Sequence, residues 1–299
     1  MQHLSAPKLQ NAGFQVQLEW QRDTLVVAAQ GGDVPLVTQF DRPMDRRARI
    51  NGKPSLAATV SRLLPFLLLL AAGREVSCAP RPPQQFQHFT APRPLQPGHT
   101  LVLGFMGGRD SWRNTEVGVG RTAQWLRRKA LPGVHVETVE NLKRDLALRL
   151  VRACLDSNGD GRLQPEERGG ARIVLYGQSF GGAAVVKFAR QLDRLDIPVL
   201  LTIQVDSVGR GDGLIPPNVR AAANLYQDNG RFIRGEAPIR AADSSRTRIL
   251  GNFRFDYSNL DIDLSHLPWY KTIARRAHAK MDRDPEVWLK VEELLLDAL

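Results

Sequence analysis

From residue 99 onward, short apolar runs alternate with amphipathic ones. Thr100-Leu101-Val102-Leu103-Gly104, Val134-His135-Val136-Glu137-Thr138-Val139, Ala171-Arg172-Ile173-Val174-Leu175-Tyr176 and Ile197-Pro198-Val199-Leu200-Leu201-Thr202-Ile203-Gln204-Val205 have strand length and are rich in β-branched residues. Such runs fit strands buried in a parallel sheet. Between them lie stretches with apolar residues at helical spacing: 119–130, with Trp125 and Leu126 on the apolar face and Pro132-Gly133 as the stop, then 142–155 and 182–192. Further short strands are expected at 221–226 and 249–257. Asp284-Pro285-Glu286 offers an N-cap, a first-turn proline and an acid to a last helix over 285–299. The alternation predicts an α/β domain over 99–299: a doubly wound, mostly parallel sheet with helices on both faces.

The first hundred residues read differently. Residues 1–43 are polar and irregular apart from Leu25-Val26-Val27-Ala28-Ala29. Basic residues Arg46, Arg47, Arg49, Lys53 and Arg62 then precede Leu63-Leu64-Pro65-Phe66-Leu67-Leu68-Leu69-Leu70-Ala71-Ala72-Gly73. A basic stretch, an apolar run of that length and small residues make a secretory signal design over 44–78, and the run is short for a membrane span. Its internal position points to translation starting at Met44, with 1–43 an upstream segment. Cys78 stands where a lipoprotein signal places its lipidated cysteine, although Glu75 is a poor match to such a signal. Residues 79–98, rich in proline, read as an extended linker. Export is therefore expected, to the periplasm, the cell envelope or the medium.

Two stretches carry chemistry. In Tyr176-Gly177-Gln178-Ser179-Phe180-Gly181-Gly182 a serine stands between glycines where a predicted strand passes into a predicted helix. A tight strand-to-helix turn strains the serine backbone and needs neighbours without Cβ atoms, and this context makes Ser179 a candidate nucleophile. Upstream, Asp156-Ser157-Asn158-Gly159-Asp160-Gly161-Arg162-Leu163-Gln164-Pro165-Glu166-Glu167 matches a calcium loop. Oxygens of Asp156, Asn158, Asp160 and Glu167 with the Arg162 carbonyl would surround the ion, and Gly161 would make the sharp turn. A strand follows in place of a second helix, so a structural calcium clip is expected rather than a sensor. Composition adds bounds: 42% apolar and 24% charged residues exclude a polytopic membrane protein and a disordered chain. Two cysteines give no disulfide framework, and a net charge of +10 comes with no aromatic-interleaved basic stripe. Nucleic acid is thus not an expected partner, and peripheral or lipid-anchored membrane association stays open as the minority reading.

The order of elements over 99–299, together with Gly177-Gln178-Ser179-Phe180-Gly181, resembles the α/β-hydrolase fold of lipases, esterases and thioesterases. The stretches 171–182, Val205-Asp206-Ser207-Val208-Gly209 and 278–295 are similar to a group of bacterial hydrolase-like proteins of that fold, although Gln178 stands where that group usually has histidine. The resemblance implies a triad in chain order serine, acid, histidine and an oxyanion hole of backbone amides. Carried onto this chain, Phe180 supplies one amide and Phe105 or Met106 the other. Asp206, at the end of a buried strand, is the expected acid, and Asp228, after the next strand, is its alternative. Of the two histidines that follow Asp206, the resemblance favours His278, in a loop just before the last helix, over His266. The expected activity is cleavage of a small-molecule carboxylic ester or thioester through an acyl-enzyme, with no catalytic cofactor. The other reading from the residues is a non-catalytic, exported calcium-binding envelope protein on the same scaffold.

Overall fold

The computed structural model describes residues 82–229, 234–236, 238–265 and 269–299, and the backbone of four strands nearer the N-terminus. Those four, β1 (Leu9–Asn11), β2 (Phe14–Gln21), β3 (Thr24–Gln30) and β4 (Leu36–Asp41), form an antiparallel meander in a unit separate from the rest. Only a weak strand at 25–29 was expected there. The signal-like segment and Cys78 lie outside the described residues.

The second unit contains a six-stranded sheet. Its strands are β5 (Thr100–Met106), β6 (Val134–Glu140), β7 (Ile173–Gln178), β8 (Val199–Val205), β10 (Val219–Tyr226) and β12 (Arg248–Arg254). They lie in the order β12-β10-β8-β7-β5-β6, and every pairing is parallel. Parallel neighbours need crossovers, and up to β8 helices supply them: α1 (Gly118–Lys129), α2 (Arg144–Leu155), the short α3 (Pro165–Gly169) and α4 (Phe180–Asp193), whereas the described residues between β8 and β10 and between β10 and β12 contain no helix. Two-residue strands β9 (Leu214–Ile215) and β11 (Arg240–Ala241) pair with each other beside the main sheet. The chain closes with α5 (Trp269–Arg283) and α6 (Pro285–Ala298).

Successive strand residues point to opposite faces, and the core divides accordingly. Leu101, Leu103 and Phe105 join Leu150 of α2 and Val185 and Phe188 of α4 in one apolar cluster. Val102 and Met106 join Val119 of α1, Met281 of α5 and Trp288 of α6 in the other. The sheet is doubly wound, as expected from the sequence. The capping signals also act as expected: Asp284 accepts the Glu286 amide at 2.9 Å, and Pro285 opens α6.

Two departures bear on the site. The first is the expected linker, which over its described part packs onto the domain. Gln84 donates to the Thr138 carbonyl at 2.7 Å, the Ala91 amide and Thr90 hydroxyl donate to buried Glu137, and Phe89 lies in the core. Proline-rich chain can dock as well as tether, because its backbone is already restricted. The second is α5, which replaces the loop expected before the last helix. Its described core contacts include Ala277 and Met281, and its sequence has Tyr270, Ile273, Ala274, Ala277 and Met281 at helical spacing, a signal the loop expectation passed over.

Candidate active site

In this strand order β5 and β7 are neighbours whose connections leave in opposite directions, and open α/β sheets bind ligands at the carboxyl ends of such a pair. Ser179 sits there, between β7 and α4, at φ 56° and ψ −125°. A non-glycine residue in that region costs on the order of 1–3 kcal/mol and persists only when its surroundings hold it. They do. The Ser179 amide donates to the Val205 carbonyl at 3.0 Å, and its carbonyl accepts the Val208 amide at 3.1 Å and the Ala183 amide at 3.3 Å.

The flanking glycines are required by space. A Cβ at Gly181 would lie 2.0 Å from the Phe105 carbonyl oxygen, and one at Gly177 would lie 2.5 Å from the Gly181 carbonyl oxygen. The close approach of α4 to the end of β5 thus depends on the motif found in the sequence. First-turn amides of α4, that of Phe180 among them, have no intrahelical partner and point toward the positive end of the helix dipole. The Phe180 side chain is 51% exposed beside the serine.

Asp206 follows β8 at φ 43° and is fully buried. Its Oδ2 lies 2.5 Å from His278 Nδ1. Gln227, just past β10, places its amide nitrogen 3.2 and 3.1 Å from the two carboxylate oxygens. A carboxylate accepts, so Nδ1 donates to Asp206 and Nε2 is the ring nitrogen left facing away from it. His278 reaches Asp206 from within α5, not from a loop, and its side chain is 12% exposed.

The alternatives fare differently. Asp228 is exposed and paired with Arg254, whose Nη2 lies 2.9 Å away, and the hydrogen bond from Arg254 holds its carboxyl below the usual range. His266 lies outside the described residues. Phe105 and Met106 are buried inside β5, in register with β6 and, for Phe105, with β7 as well. The chain that abuts the serine is the next residue, where a Cβ on Gly107 would be 3.4 Å from Ser179 Cβ.

Sequence reasoning passed over Gln227 and also Asn141, which follows β6 and whose side-chain nitrogen donates to the Met106 and Gly108 carbonyls of the loop that reaches Ser179. Both stand immediately after a sheet strand, and that position is the only signal the sequence offers for them.

The calcium-like loop keeps its internal turns. Asp156 Oδ2 accepts the Gly161 amide at 2.9 Å, Asn158 Oδ1 accepts the Asp160 amide at 2.9 Å, and Asp160 Oδ1 accepts the Arg162 amide at 2.7 Å. Asp156 Oδ1 is buried without a hydrogen-bond partner. Glu167 takes the Ser157 hydroxyl at 2.6 Å, the Ser157 amide at 2.7 Å and the Gln164 amide at 2.9 Å. The Ser157 hydroxyl, then the Gln164 amide, hold its carboxyl below the ordinary range. Among the described residues no three histidine, cysteine, aspartate or glutamate side chains stand together as metal ligands. Cys154, the cysteine within the described residues, is buried, and burial pushes its thiol up to about 12, far from a reactive thiolate.

No protein-family model matches the chain, and no curated protein matches it. Among solved structures it is similar to the crystal structure of a protein from Agrobacterium vitis S4 designated a candidate hydrolase, at 12% identity and a TM-score of 0.34 over 64% of this chain and 91% of that one. At that distance the likeness carries no argument about chemistry.

Proposed function

We propose that this protein is a serine hydrolase of the α/β-hydrolase type that cleaves a carboxylic ester or thioester through an acyl-enzyme. The observation that carries this reading is the buried Asp206–His278 pair on the same sheet edge as a serine held at positive φ. A serine hydroxyl is a weak nucleophile until a base takes its proton, and the base needs a fixed tautomer. In the reading, His278 Nε2 removes the Ser179 proton as Oγ attacks the acyl carbon, then returns it to the departing alcohol or thiol. Water, deprotonated by the same nitrogen, attacks the acyl-enzyme, releases the acid and restores Ser179. The Phe180 amide and an amide from the end of β5 receive the oxyanion.

An active-site fluorophosphonate probe tests this. Wild-type protein should be labelled at Ser179, and Ser179→Ala should not be labelled at all. Folded wild type that takes no label overturns the reading.

Calcium at 156–167 is also our reading, as a structural ion outside the reaction. The unpartnered Asp156 Oδ1 supports it. Glu167 would have to exchange its Ser157 and Gln164 donors for the ion. Millimolar calcium should raise the thermal midpoint of the wild type over that in chelator, since an ion that binds only the folded state stabilises it by about 2.7 kcal/mol at a hundredfold excess over Kd. Asp156→Ala should abolish the difference. Equal midpoints for wild type with and without calcium would refute the site.

A further inference from the structure

Asn141 follows β6 and is buried, and its side-chain nitrogen donates to two carbonyls of the loop that leaves β5: Met106 at 3.0 Å and Gly108 at 2.7 Å. The sheet order places β5 between β6 and β7. This loop therefore has Asn141 on one flank and Ser179 on the other. In a trans peptide the N–H points opposite to its C=O. Two carbonyls anchored toward β6 therefore turn the amides of Gly107 and Arg109 away from Asn141, toward the β7 side. Gly107 is the residue of this loop that abuts Ser179: a Cβ added to it would lie 3.4 Å from Ser179 Cβ. The turn is completed by the Asp110 amide, which donates to the Gly107 carbonyl at 3.0 Å, and by Gly108 at φ 49°.

We propose that Asn141 is a positioning residue for the oxyanion hole, and that the amide it aims at the reacting acyl group is that of Gly107, one residue beyond the pair expected from the sequence. The inference rests on the hydrolytic reading above. Without the clamp the glycine-rich loop has many conformations of similar energy, and a donor that must reorganise during the reaction loses most of its value. Binding of the uncharged ester, which needs no oxyanion donor, should be little affected, so the loss belongs in kcat and not in KM.

The test uses the full-length protein with p-nitrophenyl acetate and butyrate, and counts active sites by fluorophosphonate incorporation. Asn141→Ala should lower kcat per labelled site by about 10- to 100-fold, below the 10²–10³ of a deleted oxyanion donor, with KM changed less than about twofold. Asn141→Asp, which offers acceptors to two carbonyls, should lose at least as much. Asn141→Ser, able to serve one carbonyl, should fall between wild type and alanine and stands in for the comparison if the alanine variant does not fold. Leu142→Ser, at a neighbouring side chain that is 82% exposed, should match wild type. A kcat per labelled site within twofold of wild type in the Asn141 variants, or a loss confined to KM or to thermal stability, overturns the positioning role while leaving the triad intact. Wild type that neither labels nor turns over ester removes the hydrolytic reading, and this inference with it.

Discussion

Asp206→Asn is expected to fold like the wild type and to lose about 10⁴-fold in kcat. Asparagine is nearly isosteric with aspartate and tolerates the left-handed backbone that residue 206 adopts at φ 43°. The amide, however, presents a donor where the carboxylate presented only acceptors. Gln227 already donates to both oxygens of that carboxylate. An amide between Gln227 and His278 settles with its own nitrogen toward one of them. If that one is His278, Nδ1 must accept, the ring proton moves to Nε2, and the serine has no base. Asp228→Asn is the internal comparison, because Asp228 lies on the surface in an ion pair with Arg254. It should retain activity to within about twofold, as exposed ion pairs contribute little. Steady-state kinetics on the two variants decides the acid, and the assignment fails if Asp228→Asn is the inactive one.

A single methyl group at position 181 should be nearly as damaging. The Cβ of Gly181→Ala would stand 2.0 Å from the Phe105 carbonyl oxygen and 2.8 Å from that of Met106. Those atoms belong to the backbone of a strand hydrogen-bonded on both sides, so no side chain can rotate to make room. Overpacking of this kind costs typically about 1–3 kcal/mol, and rigid surroundings place this case at the upper end. For a domain of this size that is roughly 2–4 °C of thermal midpoint per kcal/mol. Turnover should fall further than stability, because relief requires α4 to move away from β5, which separates the Phe180 amide from the loop at Gly107. Gly169→Ala, at a glycine with nothing within 4 Å of the added carbon, should leave both unchanged. Melting curves and ester turnover for the two variants check the argument, and an unperturbed Gly181→Ala would refute it.

What could be read in advance followed from local rules. Buried parallel strands are continuous apolar runs, so β5, β7 and β8 were visible, and the Gly-x-Ser-x-Gly turn between a strand and a helix located the serine. Asp206 was visible because it ends such a run. His278 was chosen for a loop that the resemblance implied, and it projects instead from a helix; the signal for that helix, Tyr270, Ile273, Ala274, Ala277 and Met281 at helical spacing, stood in the sequence and was passed over in favour of the resemblance. Gln227 and Asn141 were hidden for another reason. Their roles arise from hydrogen bonds to groups 21 and 33–35 residues away in sequence, and those partners become neighbours only when the strands are ordered across the sheet. The proposed donor, Gly107, lies one residue beyond the expected Phe105 or Met106, and the sequence could not show that difference because the length of β5 is set by its pairing with β6 and β7.

The docked segment before β5 determines where this protein can be cut. A chain begun at His99, where the strand pattern starts, would retain every residue of the proposed triad and every strand of the six-stranded sheet. It would also strip Glu137 of the Ala91 amide and the Thr90 hydroxyl, leaving a carboxylate that is 3% exposed with Arg127 at 3.9 Å as its remaining ion pair. The apolar cluster beneath α2 would lose Phe89 and Ala91 from its wall. Uncompensated buried charge and an opened core both favour aggregation over folding. A piece that folds on its own is therefore expected to begin at or before Gln84, well upstream of the proposed triad.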